Sequence, residues 1–75
     1  MIRVRFMSVK GKFRVLKTLD FDNLRQARYD IVEFYSPLGF SNFNLIDTDP
    51  GEGGRFTATT PGGRAGRNVA FYEYL

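Results

Sequence analysis

The chain contains no cysteine, no histidine and no tryptophan. Without cysteine there is no disulfide to restrict the unfolded chain, so the folded state must rest on packing alone. The same absence fits a reducing compartment, and the cytoplasm is the expected location. Without cysteine and histidine the usual ligands of zinc, copper and iron–sulfur clusters are missing. The thiol nucleophile and the one side chain that titrates near neutral pH are missing too. No apolar run approaches the ~20 residues of a membrane-spanning helix. Met1-Ile2-Arg3-Val4-Arg5-Phe6 interleaves charge with apolar side chains, unlike the unbroken apolar stretch of a secretory signal. No metal, cofactor or membrane is expected.

What is present is aromatic and basic. The 75 residues include eight Phe and four Tyr, and the net charge is +3. A chain of this length holds one core, so residues 1–75 are expected to form a single small α+β domain. The charge is unevenly spread. Residues 1–28 carry a net +6, residues 29–54 a net −5, and residues 55–75 a net +2. The basic start and acidic middle suit an oppositely patterned partner, including a second copy.

Period-two alternation marks strands over residues 2–9 and 12–19. Lys10-Gly11 between them reads as a two-residue hairpin turn. That turn pairs Ile2 with Leu19, Val4 with Lys17, Phe6 with Val15 and Ser8 with Phe13 on a core face. The opposite face then takes Arg3, Arg5, Met7 and Val9 with Thr18, Leu16, Arg14 and Lys12. Residues 22–35 read as a helix, with Leu24, Ala27, Ile31 and Phe34 on one side and Asp22 or Asp20 as the cap. Its charges run against the macrodipole, since Arg25 and Arg28 come early and Asp30 and Glu33 late. Ser36-Pro37 ends it. Further strands are expected around residues 42–46, 55–60 and 69–75, with a turn at 47–54.

The order is ββαβββ: a four- to five-stranded, mainly antiparallel sheet with one helix on one face. A β-grasp-like mixed sheet is the alternative. The first forty residues are similar in layout to ubiquitin-like domains, a hairpin followed by a helix starting near residue 22. Glu73-Tyr74-Leu75 lacks the di-glycine that conjugation uses, so the resemblance implies nothing about function. The expected core is Ile2, Val4, Phe6, Phe13, Val15, Leu24, Ala27, Ile31, Phe34, Phe43, Leu45, Phe56, Val69 and Phe71.

Two glycine-rich stretches invite a phosphate-loop reading. Pro61-Gly62-Gly63-Arg64-Ala65-Gly66-Arg67-Asn68 lacks the Gly-Lys-Ser or Gly-Lys-Thr of a P-loop. Gly51-Glu52-Gly53 begins a dinucleotide fingerprint, but Phe56 stands at its third glycine and a strand follows. Both read as turns, the first with Arg64 and Arg67 at its tip as a candidate binding loop. The carboxylates Asp47, Asp49 and Glu52 cluster in a proline–glycine turn where solvent keeps them ionised, so the chain is expected not to be an enzyme.

One helix covers one face, which leaves the other open. The sorting places Arg3, Arg5, Lys12, Arg14, Arg55, Tyr72 and Tyr74 on that open face, beside Asn42, Asn44, Ile46, Thr57 and Thr59. Arg and Tyr anchor protein interfaces. The expected function is therefore a small non-catalytic binding protein that contacts a protein partner or itself through this basic, Tyr-bearing face. Single-stranded nucleic acid, with phosphates on cations and bases on rings, is the alternative partner.

Overall fold

The computed structural model describes residues 1–49 and 51–75. The elements are β1 (Ile2–Met7), β2 (Val15–Phe21), α1 (Leu24–Tyr35), a short 3₁₀ turn (Ser36–Leu38), β3 (Ser41–Asp49), β4 (Gly53–Thr59) and β5 (Arg67–Tyr74). The ββαβββ order holds, in one sheet ordered β2-β1-β5-β4-β3. Every pairing is antiparallel. The β-grasp alternative is not realised, because β1 and β5 lie side by side antiparallel. The helix carries the chain from edge strand β2 across to edge strand β3 and touches β1, β2 and β3 on the way.

The first hairpin keeps its faces as far as the Phe6–Lys17 pair, loses its turn, and beyond a bulge turns Val15 from the expected core face to the opposite one. Ile2 pairs with Phe21, Val4 with Leu19 and Phe6 with Lys17, two residues away from the register that a Lys10-Gly11 turn requires. A two-residue shift preserves the face of every side chain, so the alternation alone does not distinguish the registers. The longer loop is closed by the Ser8 amide, which donates to the Arg14 carbonyl at 2.7 Å. Inside it the Ser8 hydroxyl donates to the Lys10 carbonyl at 2.7 Å. Leu16 is the unpaired residue of a bulge between the Phe6–Lys17 and Met7–Val15 pairs. The Lys17 ammonium caps the core edge, 4.7 Å from the Phe6 ring centre and 4.5 Å from that of Phe34.

The helix is capped by Asn23, in place of Asp22 or Asp20. Its Oδ1 accepts from the Gln26 amide at 3.0 Å. Asp20 is still within β2 and holds Arg3. No acid stands in the first turn and no base in the last, so tertiary packing holds the helix against its own dipole.

The core is built on Ile2, Val4, Phe6, Ala27, Ile31, Tyr35, Phe40, Phe56, Ala58, Val69, Ala70 and Tyr72, with Leu24, Phe34 and Phe43 partly buried against it. Phe13, Val15 and Leu45 are exposed, contrary to the expected core. Phe71 is half-buried on the opposite face, where it pairs with Arg5 and Arg55. The error in β5 traces to one bulge. Ala70 pairs with Phe56 and Asn68 with Thr57, so Val69 is an extra residue that joins the same buried cluster as Ala70. Tyr35 fixes that bulge. Its hydroxyl shares one proton between the carbonyl oxygens of Met7 and Val69, each at 2.7 Å. Burial pushes the Tyr35 phenol up to about 12, partly offset by the Met7 bond.

Candidate binding surface

The antiparallel order sends the loops to two ends of the sheet. Ser8–Arg14 and Thr60–Gly66 lie at one end, and the Asp49–Gly53 connection and both termini at the other. Lys10, Lys12, Arg14, Arg64 and Arg67 therefore collect at the first end, and neither loop holds an acid. Asp49 and Glu52 stand at the second end with Asp22. The strand connections thus give the sheet a basic end and an acidic end, while the helix, crossing from the second end to the first, runs the other way, with Arg25 early and Glu33 late.

The uncovered face is less basic than its composition suggests. Arg3 donates to both carboxylate oxygens of Asp20, at 2.9 and 3.1 Å. The hydrogen bond from Arg3 holds the Asp20 carboxyl below the ordinary carboxylate range. Arg5 donates to Glu73 at 3.0 Å. Arg55 is half-buried between Phe71 and Ile46 in the pairing, and its Nε has no acceptor among the described residues. Lys12 and Arg14 flank Phe13, which folds over the face and meets Phe71 edge-on at 6.0 Å between ring centres. Val15, opposite Met7, adds to this apolar band and is 46% exposed.

The tyrosines are elsewhere. Tyr72 and Tyr74 pair with Val4 and Ile2, so both sit on the helix side. Tyr72 is 3% exposed, its ring 5.6 Å from Phe56. Its hydroxyl donates to Asp47 at 3.0 Å, and burial raises its pKa strongly. The expected Tyr-bearing face is corrected to a Phe-bearing one. Phe13, expected in the core, is instead the exposed aromatic of the site. An exposed role is not readable from its period-two position; the missed signal is the Lys-Phe-Arg run around it, which suits a loop as well as a strand.

The glycine-rich stretches resolve into turns. The Gly63 amide donates to the Thr60 carbonyl at 2.9 Å, and the Thr60 amide to the Arg64 carbonyl at 2.8 Å. Gly63 takes φ 88° and Gly66 φ 76°, values that only glycine adopts freely. In the second stretch, Gly53 and Gly54 lie inside β4 because a side chain has no room there. A Cβ on Gly54 would collide with the Ile46 carbonyl and lie 2.8 Å from the Tyr72 hydroxyl. Pro50, part of the turn read from composition, lies outside the described residues.

At the basic end the two loops enclose an open cleft of about 760 Å³, with Phe13 on one wall and Arg64, Arg67 and Asn68 on the other. The Arg67 guanidinium stands 6.0 Å from the Phe13 ring centre. No group of three or more acids that could hold a metal ion occurs among the described residues, and none of their helices is long and apolar enough to cross a membrane. Set against known protein families, curated proteins and solved structures, the chain matches none.

Proposed function

We propose that the protein is a non-catalytic binding module whose uncovered sheet face docks a second copy of itself. The observation that carries this reading is the apolar band of Phe13, Phe71 and Val15 on a face whose Arg3 and Arg5 are already paired with carboxylates. Paired cations offer little to a phosphate backbone, while Phe side chains rimmed by charge suit a protein contact. The charge layout selects the partner. Turning a second copy end for end and laying it face to face brings Lys12 and Arg14 of each towards Asp49 and Glu52 of the other. That is an isologous two-fold arrangement, the commonest among soluble oligomers.

Edge pairing is the poorer route. Edge strand β2 carries the Leu16 bulge and Lys17. Edge strand β3 shifts register at Ser41/Asn44 and again at Ile46/Asp49. Asn42 there has φ 52°. Bulges and charge of this kind blunt an edge against sheet extension.

Sedimentation equilibrium over a wide concentration range tests the reading. The expected result is a reversible dimer of twice the 8.6 kDa chain mass, weakened by salt as the rim pairs are screened. Phe71→Asp should abolish the dimer while circular dichroism stays native. A monomer at every concentration, or a dimer indifferent to Phe71→Asp, overturns the proposal.

A further inference from the structure

The cleft at the basic end lies beside the docking face and asks for a ligand of its own. Arg64 belongs to a turn already closed by its own hydrogen bonds, Arg67 opens β5 with its guanidinium 6.0 Å from the Phe13 ring centre, and neither has an ion pair among the described residues. No carboxylate lines the cleft. Lys12 and Arg14 add positive charge on either side of Phe13. The site is therefore electropositive without internal compensation, the condition for holding an anion.

The anion is not a small one. A cleft of about 760 Å³ falls within the ~300–1,000 Å³ range of small-molecule sites. Phosphate alone would leave most of it to water. The remaining wall is a planar ring and a carboxamide. Phe13 is 48% exposed and held at a steep angle by Phe71. A flat heterocycle can lie on such a ring, as single-stranded bases do on aromatic platforms. Asn68 supplies one donor and one acceptor, the pair that matches an adenine edge. Gly62 and Gly66 line the cleft without side chains, so a ligand can approach the backbone there.

We propose that this cleft binds a nucleoside phosphate unit, its base against Phe13 and its phosphate against Arg64 and Arg67. The unit has two sources, a free mononucleotide or one residue of a single strand. The inference does not rest on self-association; Phe13 is common to the cleft and the docking band, whereas Arg64 lies in the β4–β5 loop and Arg67 is the first residue of β5.

Amide shift mapping by NMR distinguishes the outcomes, with adenosine 5′-monophosphate, inorganic phosphate and a short single-stranded oligodeoxynucleotide as probes. The expected result is saturable shifts confined to residues 10–14 and 60–68, with the nucleotide binding more tightly than inorganic phosphate. Phe13→Leu keeps an apolar contact for Phe71 but removes the ring, and should weaken the nucleotide about 5- to 150-fold. Arg64→Ala with Arg67→Ala should abolish binding while circular dichroism stays native. If the oligonucleotide gains affinity, and loses about 0.7 of salt slope for each arginine removed, the source is a single strand. If it binds no better than the mononucleotide, the source is the free nucleotide. No shift with either nucleotide probe overturns the proposal. So does equal affinity for inorganic phosphate or indifference to the double substitution.

Discussion

Tyr35 shows how much of this fold passes through single side chains. It is the largest fully buried residue, and its hydroxyl serves two carbonyls, one at the end of β1 and one at the β5 bulge. Tyr35→Phe leaves two buried acceptors without a donor and should cost about 1–3 kcal/mol in chemical denaturation. The same phenol gives a pH signature. An unfolded tyrosine ionises near pH 10, whereas folded Tyr35 holds its proton up to about 12. Between those values the folded state binds more protons, so stability is complete below pH 10 and falls as pH rises through the window. Tyr72, also raised by burial, acts in the same direction. The alkaline slope of the unfolding free energy should be shallower in Tyr35→Phe than in the native chain. An unchanged slope would mean that the phenol is not buried as described. Gly54 is the third such residue. Gly54→Ala drives a methyl towards Ile46 and Tyr72, and a marked drop in thermal midpoint is expected, larger than for Gly62→Ala, which meets only the Thr60 hydroxyl at 3.8 Å.

The elements divide into those whose sequence period matched their environment and those whose bulges broke it. The helix face was legible, since Ala27 and Ile31 are fully buried where the 3.6-residue period puts them. Replacing Phe6 or Ile31 with Ala should cost about 2–5 kcal/mol by urea melt. A melt unchanged by either would remove the helix from its place over β1. The core-side residues of β1 and β4, Ile2, Val4, Phe6, Phe56 and Ala58, were equally legible, while Met7 and Thr57, expected on the opposite face, are buried as well. The β2 register and the faces of β5 were not. Ser8 caps a seven-residue loop through a side-chain bond that alternation does not report, and Val69 inserts one residue into β5. Each bulge moves side chains by a residue while leaving composition untouched, which is why Tyr72 and Phe71 exchanged faces. Lys17 illustrates the reverse case. It was placed on the core face by period alone, and the structure gives that position a reason, an ammonium over two rings. Lys17→Ala should cost about 0.5–2 kcal/mol, and Lys17→Arg much less.

At the scale of the molecule, topology gathers the charges of the strand connections into two opposed ends, with the helix charges running the other way. That much was foreshadowed by the +6 and −5 segments, but not which surface would lie between the ends. The surface follows from pairing β1 with β5 at the centre of the sheet, which sets Phe71 beside Arg5 and brings Phe13 down onto it. The absence of cysteine makes the central claim directly measurable, because any introduced thiol is the only one. A spin label on Lys12→Cys, mixed with an isotope-labelled native chain, reports distances between copies alone. The face-to-face, end-for-end pairing predicts paramagnetic broadening of amides near Asp49, Glu52 and Phe71. Broadening confined to the helix residues 24–35, or none at concentrations where sedimentation finds a dimer, would contradict it.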